Sequence, residues 1–308
     1  MIKMKNIYKI IIGIAASCIL LVIIDRAVGT LSEKMYYGSK YGIYHRQIYC
    51  LHNSKDDVVI LGSSRAAHHY VPQVFEDTLG MSCYNAGSDG MCVYYHYVIL
   101  ASRIYRKQPP KTVIYEVLGS DATVSQGAAF TLDAALERLA PHYGDTPVID
   151  SLFSLGGWKE NLKLLSKTYK YNSALVQLIK CNYIPWPEDR GYEALKGKMK
   201  VKKGVADDVL EESKVVELDS IKIQYIKKLI ALCKQNDIKL VMCYSPYYKK
   251  PMPEGAKVIK QIAQQENVIF FDYNTDVRFQ NEKYYQDASH MNDTGAKLYS
   301  KDLVGKIK

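Results

Sequence analysis

No Cys-x-x-Cys pair occurs among the seven cysteines of this chain, and their number is odd. That excludes a disulfide framework and a cysteine-based zinc site. No Gly-Lys-Ser/Thr ending follows any glycine-rich turn, so the turn at Gly62 is no P-loop. Collagen-like, Gln/Asn-rich and Ser/Pro-rich tracts are absent, as are internal repeats. Net charge is +9, but Lys3, Lys5 and Lys9 supply three of the nine. The densest basic cluster, Lys196, Lys198, Lys200, Lys202 and Lys203, runs straight into Asp207, Asp208, Glu211 and Glu212. Such mixing reads as a solvated face and excludes a nucleic-acid groove. With 48% hydrophobic and 24% charged residues, the 308-residue chain can bury a sizeable core.

Only one long apolar run is present. Ile10 to Ile24 carries no charge, and with Ile7, Tyr8 and a snorkelling Lys9 it reaches eighteen residues. This is near the lower limit for spanning the roughly 30 Å hydrocarbon core of a bilayer. The lysines before it place residues 1–6 in the cytoplasm and everything after residue 24 outside. An uncleaved anchor over 7–24 is the leading expectation. Two alternatives stand beside it: cleavage at Ala27-Val28-Gly29 as a signal peptide, and a lipoprotein site at Cys18, against which six further apolar residues argue. All three put the bulk of the chain beyond the cytoplasm, in a bacterial periplasm or on the outer face. Residues 25–55, polar and tyrosine-rich without a clear period, read as a connector.

From residue 56 onward short apolar runs alternate with amphipathic stretches, the pattern of an α/β sheet covered by helices. Strands are expected at Val58–Leu61, 82–84, 112–117, 238–243 and 268–271. Helices are expected at 93–105, 218–235, 258–264 and 293–307. Residues 122–215 lose the alternation and read as a helical insertion lying over the sheet.

Open α/β sheets bind ligands at the carboxyl ends of their strands. There the sequence places Gly62-Ser63-Ser64-Arg65, Asn85-Ala86-Gly87-Ser88-Asp89-Gly90 and Leu118-Gly119-Ser120-Asp121. Asp287-Ala288-Ser289-His290 precedes the last helix. A serine hydroxyl needs an adjacent base to act as a nucleophile. An imidazole supplies one, and a carboxylate three residues away can fix its tautomer. A tetrahedral intermediate needs donors for its oxyanion. The amides of Ser64 and Gly87 are the candidates, and Gly87 has no side chain to keep the backbone away. Arg65 is a candidate either to contact an anionic substrate group or simply to pair with an acid. His68 and His69, adjacent on a helix, point to different faces and read as structural or pocket-lining.

These blocks resemble those of the SGNH (GDSL-like) hydrolase family. Gly62-Ser63-Ser64 looks like its Gly-Asp-Ser block with Ser63 replacing the aspartate. Asn85-x-Gly87-x-x-Gly90 and Asp287-x-x-His290 resemble two later blocks, and the match covers residues 57–308. The family's third block offers an asparagine where this chain has Ser120, so Ser120 is the substitute candidate. The resemblance implies a flavodoxin-like three-layer α/β/α sandwich on a mainly parallel five-stranded sheet. It also implies a catalytic triad of Ser64, Asp287 and His290, and an oxyanion hole from Ser64, Gly87 and Ser120. Arg65, Asn85 and His68 stand as substrate-binding residues. The expected chemistry is acyl-ester hydrolysis or O-acyl transfer on envelope saccharides or small molecules, with no metal and no organic cofactor. The rival reading is a non-catalytic binding or assembly protein on the same fold. An ordinary α/β-hydrolase fits less well, because the serine follows the first strand and the aspartate precedes the histidine by three residues.

Overall fold

The structure, a computed structural model, describes residues 4–199 and 216–308. Lys200, Lys202, Lys203, Asp207, Asp208, Glu211 and Glu212 of the mixed-charge cluster lie outside the described residues. The chain opens with α1 (Met4–Tyr37) and α2 (Gly42–Ile48), and a single π-helical turn follows over Tyr49–Asn53. Then come β1 (Val58–Leu61), α3 (Ser64–His69), α4 (Pro72–Leu79), β2 (Cys83–Asn85), α5 (Val93–Tyr105) and β3 (Thr112–Glu116). Four short helices follow: α6 (Leu132–Leu139), α7 (Pro147–Ser154), α8 (Gly157–Lys163) and α9 (Leu175–Tyr183). The chain closes with α10 (Ser220–Gln235), β4 (Lys239–Tyr244), α11 (Glu254–Gln265), β5 (Ile269–Asp272) and α12 (Asp293–Ile307).

The five strands form one parallel sheet in the order β2-β1-β3-β4-β5. This is the flavodoxin-like order, in which the chain changes winding direction between β1 and β3 and opens a crevice at their carboxyl ends. Both faces are covered, which is why β1 is apolar throughout and wholly buried. Residues alternate between two cores. Val59, Leu61, Val113, Tyr115 and Met242 join a core shared with α5, α10 and α11. Val58, Ile60, Ile114, Val241 and Cys243 join one shared with α3, α4 and α12. The layers are therefore helix, sheet and helix. Pieces of the 122–215 stretch contribute Leu136, Leu139, Ile149, Leu152 and Phe153 to the first core.

Helix α11 begins four residues earlier than its apolar period suggests, because Pro253 ends the preceding loop and Ala256 is buried in the first turn. The larger departure is at the N-terminus. Residues 25–37, expected within a connector, continue α1, and Gly42–Asn53 are helical. The apolar part of α1 is exposed, with Ile12 and Leu21 each 66% accessible, and the helix is long and apolar enough to cross a membrane. Its far end is seated on the body. Asp25 accepts hydrogen bonds from Ser166 Oγ at 2.5 Å and from the amides of Lys167 and Thr168 at 2.9 and 3.0 Å. Lys167 Nζ reaches Glu33 at 2.8 Å, and Asn182 Nδ2 donates to the Met35 carbonyl at 2.9 Å. Tyr36, Tyr44, Tyr171, Leu178 and Cys181 form a small third core there.

Candidate active site

The first turn after β1 depends on Gly62. Its φ of +145° disfavours a side chain, and a Cβ there would lie 2.8 Å from both Ala66 Cβ and Glu116 Cβ. The chain then turns directly into α3, whose first residue is Ser64. Ser63, in the family's aspartate position, is buried, and its Oγ accepts the Gly90 N–H at 3.1 Å, tying the β2 loop to the turn.

His290 comes from the loop before α12. Tyr285 and Met291 pair across that loop, and the Gln286 amide donates to the His290 carbonyl at 2.9 Å, closing it. Asn292 caps α12 by accepting the Gly295 N–H at 3.1 Å. Within the loop, Asp287 Oδ1 accepts the amides of Ser289 and His290 at 2.8 and 2.9 Å. Its two oxygens lie 3.0 and 2.9 Å from His290 Nδ1. An ionised carboxylate only accepts, so Nδ1 carries the ring proton and Nε2 presents a lone pair. Ser64 Oγ stands 2.9 Å from that Nε2. Burial opposes ionisation of Asp287. The hydrogen bonds from the His290 ring and the two amides outweigh it and hold the carboxyl below its ordinary range. Its side chain remains 54% accessible.

Ser64 and His290 open into a cleft of about 450 Å³ whose walls include Ser120, Phe130, Tyr244 and Tyr247. Ser120 sits on a 3₁₀ turn (Gly119–Asp121) that is pinned from below. Buried Lys222 donates through Nζ to the carbonyls of Ser120 and Thr123 at 3.0 and 2.8 Å. The Asp121 carboxylate accepts the Leu118 and Val93 amides. Ser120 lines the cleft, and among the described residues its Oγ has no hydrogen-bond partner.

Four expectations need correction. The Gly87 amide, expected to face an oxyanion, donates to Asn85 Oδ1 at 3.0 Å. Gly87 is required for a different reason: a Cβ there would lie 2.4 Å from Ala67 N, so the loop packs flush against α3. Asn85, expected to touch substrate, is wholly buried and donates to the carbonyls of Ala66 and Tyr70 at 2.7 and 2.9 Å. Arg65 borders the cleft, but its guanidinium is already engaged. It donates to Glu116 Oε1 at 2.9 Å and to Ser245 Oγ at 2.8 Å, and it lies 4.4 Å from the Tyr244 ring centroid. His68 is buried, with its Nδ1 2.8 Å from the Glu193 carbonyl oxygen. Its ring meets that of His290 edge-on at 5.6 Å between centroids, behind the base and not in the cleft.

Sequence reasoning missed the polar network under the site. Glu116, fully buried at the end of β3, accepts from Arg65, from Ser245 Oγ at 2.8 Å and from the Tyr70 hydroxyl. Ser245 Oγ lies 2.8 Å from His69 Nδ1, and His69 Nε2 accepts the Met291 amide at 2.9 Å. The accepting Nε2 fixes His69 as the Nδ1–H tautomer. Burial, and next the charge of Arg65, push its pKa well below the ordinary imidazole range, so the ring stays neutral. The chain of bonds therefore runs from the strand ends to the residue that follows His290. The one sequence signal was a charged Glu116 closing an otherwise apolar strand.

No family model matches the chain, and no curated protein matches it. Several solved structures are similar to it, the following two among them. One is named as a lipolytic protein of the G-D-S-L family from Desulfitobacterium hafniense DCB-2; it is 10% identical, with a TM-score of 0.40 over 81% of this chain and 98% of that one. The other is named as an acylhydrolase from Bacteroides fragilis NCTC 9343; it is 14% identical, with a TM-score of 0.34 over 81% and 86%. The fold stands on the strand order, and any chemistry on the distances above.

Proposed function

We propose that the chain is a membrane-anchored serine esterase or O-acyltransferase of the SGNH type, with Ser64, His290 and Asp287 as its triad. The observation that supports this most is the continuous relay from carboxylate to imidazole to hydroxyl, with no contact longer than 3.0 Å, opening into a cleft. Ser64 Oγ attacks the ester carbonyl carbon while His290 Nε2 takes its proton. The tetrahedral intermediate collapses, and the leaving alcohol departs with that proton. Water or an acceptor hydroxyl then gives its proton to Nε2 and attacks the acyl carbon. Release of the acid or the new ester returns the proton to Ser64. The amide of Ser64, which has no hydrogen-bond partner among the described residues, and the Ser120 hydroxyl are the proposed oxyanion donors. The substrate proposed is an acyl ester, such as an acetyl group, on an envelope glycan or small molecule. The anchor is residues 7–24 of α1, with residues 56–308 as the catalytic domain on the far side of the membrane.

A specific observation favours a second reading, a binding or assembly protein without turnover. The Gly87 amide is committed to Asn85, and the Leu118-Gly119-Ser120-Asp121 turn after β3 holds no asparagine, so two of the family's oxyanion donors are lacking. A fluorophosphonate probe separates the readings. Labelling of the folded chain that Ser64→Ala abolishes supports the enzyme. A folded chain that takes no label sinks the enzymatic reading and leaves the binding one.

A further inference from the structure

A second cluster of ligating groups lies outside the cleft, where α1, the π-helical turn and residues 140–145 meet. His52 Nε2, His142 Nδ1 and Asp145 Oδ2 form a triangle with edges of 3.0, 2.9 and 3.3 Å. Hydrogen bonding cannot satisfy that triangle. The carboxylate only accepts, so each nitrogen must carry a proton to bond it, and the two nitrogens then meet as donor against donor. If either nitrogen gives up its proton, its lone pair faces the carboxylate instead. One edge is mismatched in every tautomer.

We propose that His52, His142 and Asp145 bind one zinc ion. A cation at the focus of the three lone pairs resolves the mismatch. Tetrahedral ligands about 2 Å from zinc lie roughly 3.3 Å apart, close to the spacing present. Two imidazoles and a carboxylate suit zinc among the divalent transition metals. The outer shell fits as well: His142 Nε2 lies 2.8 Å from the hydroxyl of Tyr36, a wholly buried residue, so a metal-bound His142 would donate its remaining N–H there. His142 is fully enclosed, whereas the His52 and Asp145 side chains are 34% and 28% accessible. That leaves an open side for water as fourth ligand. The ion would tie the π-helical turn to residues 140–145, with Tyr36 of α1 behind His142. His52 lies 90 residues from His142, which is why no sequence motif marks the set and why no metal was expected.

The test uses the full-length chain in detergent, purified through a tag free of histidine and stripped with a chelator. Equilibrium dialysis against Zn²⁺ followed by elemental analysis should find one zinc per chain. Asp145→Asn and His52→Gln, both at accessible positions, should each weaken uptake about tenfold or more, with the circular dichroism spectrum unchanged. Co²⁺ bound in place of Zn²⁺ should give the visible absorption of a four-coordinate ion in the wild type and not in Asp145→Asn. Wild-type uptake no greater than that of folded Asp145→Asn would overturn the proposal.

Discussion

His290 and His142 each meet an aspartate three residues away, and the two meetings differ in what completes them. Across the ring from Asp287, His290 offers its free nitrogen to Ser64, an aliphatic hydroxyl on the wall of a cleft. Across the ring from Asp145, His142 meets the phenol of Tyr36, which has no exposed surface. A second imidazole, His52, crowds the nitrogen that faces the carboxylate. On the readings proposed above, the same two residue types at the same separation would serve a proton relay in one place and a convergent ligand set in the other. The aspartate–histidine pair is not diagnostic alone. The third partner and its access to solvent decide the chemistry.

The comparison can be broken most sharply at Ser64. Ser64→Ala should abolish probe labelling and lower ester turnover by about 10⁴-fold or more, measured by gel fluorescence and a chromogenic short-chain ester. Asp287→Asn should cost about 10²-fold in kcat, less than the roughly 10⁴-fold loss at a buried triad aspartate. Asp287 stands half in water, and solvent screens its hold on the imidazolium. A drop as large as that of Ser64→Ala would contradict this. A pH–rate profile sharpens the point. Asp287 is held below the ordinary carboxylate range, so its charge, and with it its hold on the ring, persists at neutral and mildly acidic pH. Protonation of Asp287 should cost activity only below about pH 4, read from the acid limb of the profile.

Ser245→Ala probes the network beneath the relay. It removes a partner of Arg65, Glu116 and His69 at once and should destabilise the fold by about 1–3 kcal/mol, read from denaturant midpoints. It should also lower kcat more than it raises KM, since it loosens the loop that carries His290. An unchanged midpoint would mean that water replaces the hydroxyl. The smallest effect belongs to the other histidine pair. Chelator should lower the melting temperature of zinc-loaded protein by a few degrees, since tenfold excess zinc over Kd is worth about 1.4 kcal/mol. Labelling of Ser64 should not change.

The parts of the fold written in local period were legible. The span of α5 and the carboxyl ends of β1 and β3 follow from apolar runs and breakers, and with them the neighbourhood of Ser64. What escaped was set by long-range partners. Residues 25–37 have no apolar stripe of their own because Asp25 is satisfied by Ser166, Lys167 and Thr168, more than 140 residues away. Gly87 has the spacing of an oxyanion donor, but the Asn85 side chain folds back onto its amide. Arg65 looked free because Glu116 and Ser245 lie on other strands' ends.

The seating of α1 has a mechanical consequence. A helix that frayed at the membrane edge would leave its cargo on a tether, sweeping a hemisphere. Here Asp25 to Tyr37, about 20 Å of helix at 1.5 Å per residue, is locked to the body by Lys167, Asn182 and the tyrosine cluster. If α1 stands in a bilayer as proposed, it acts as a mast. The mouth of the cleft then has a fixed altitude and heading, and only esters carried at that height come within range of Ser64.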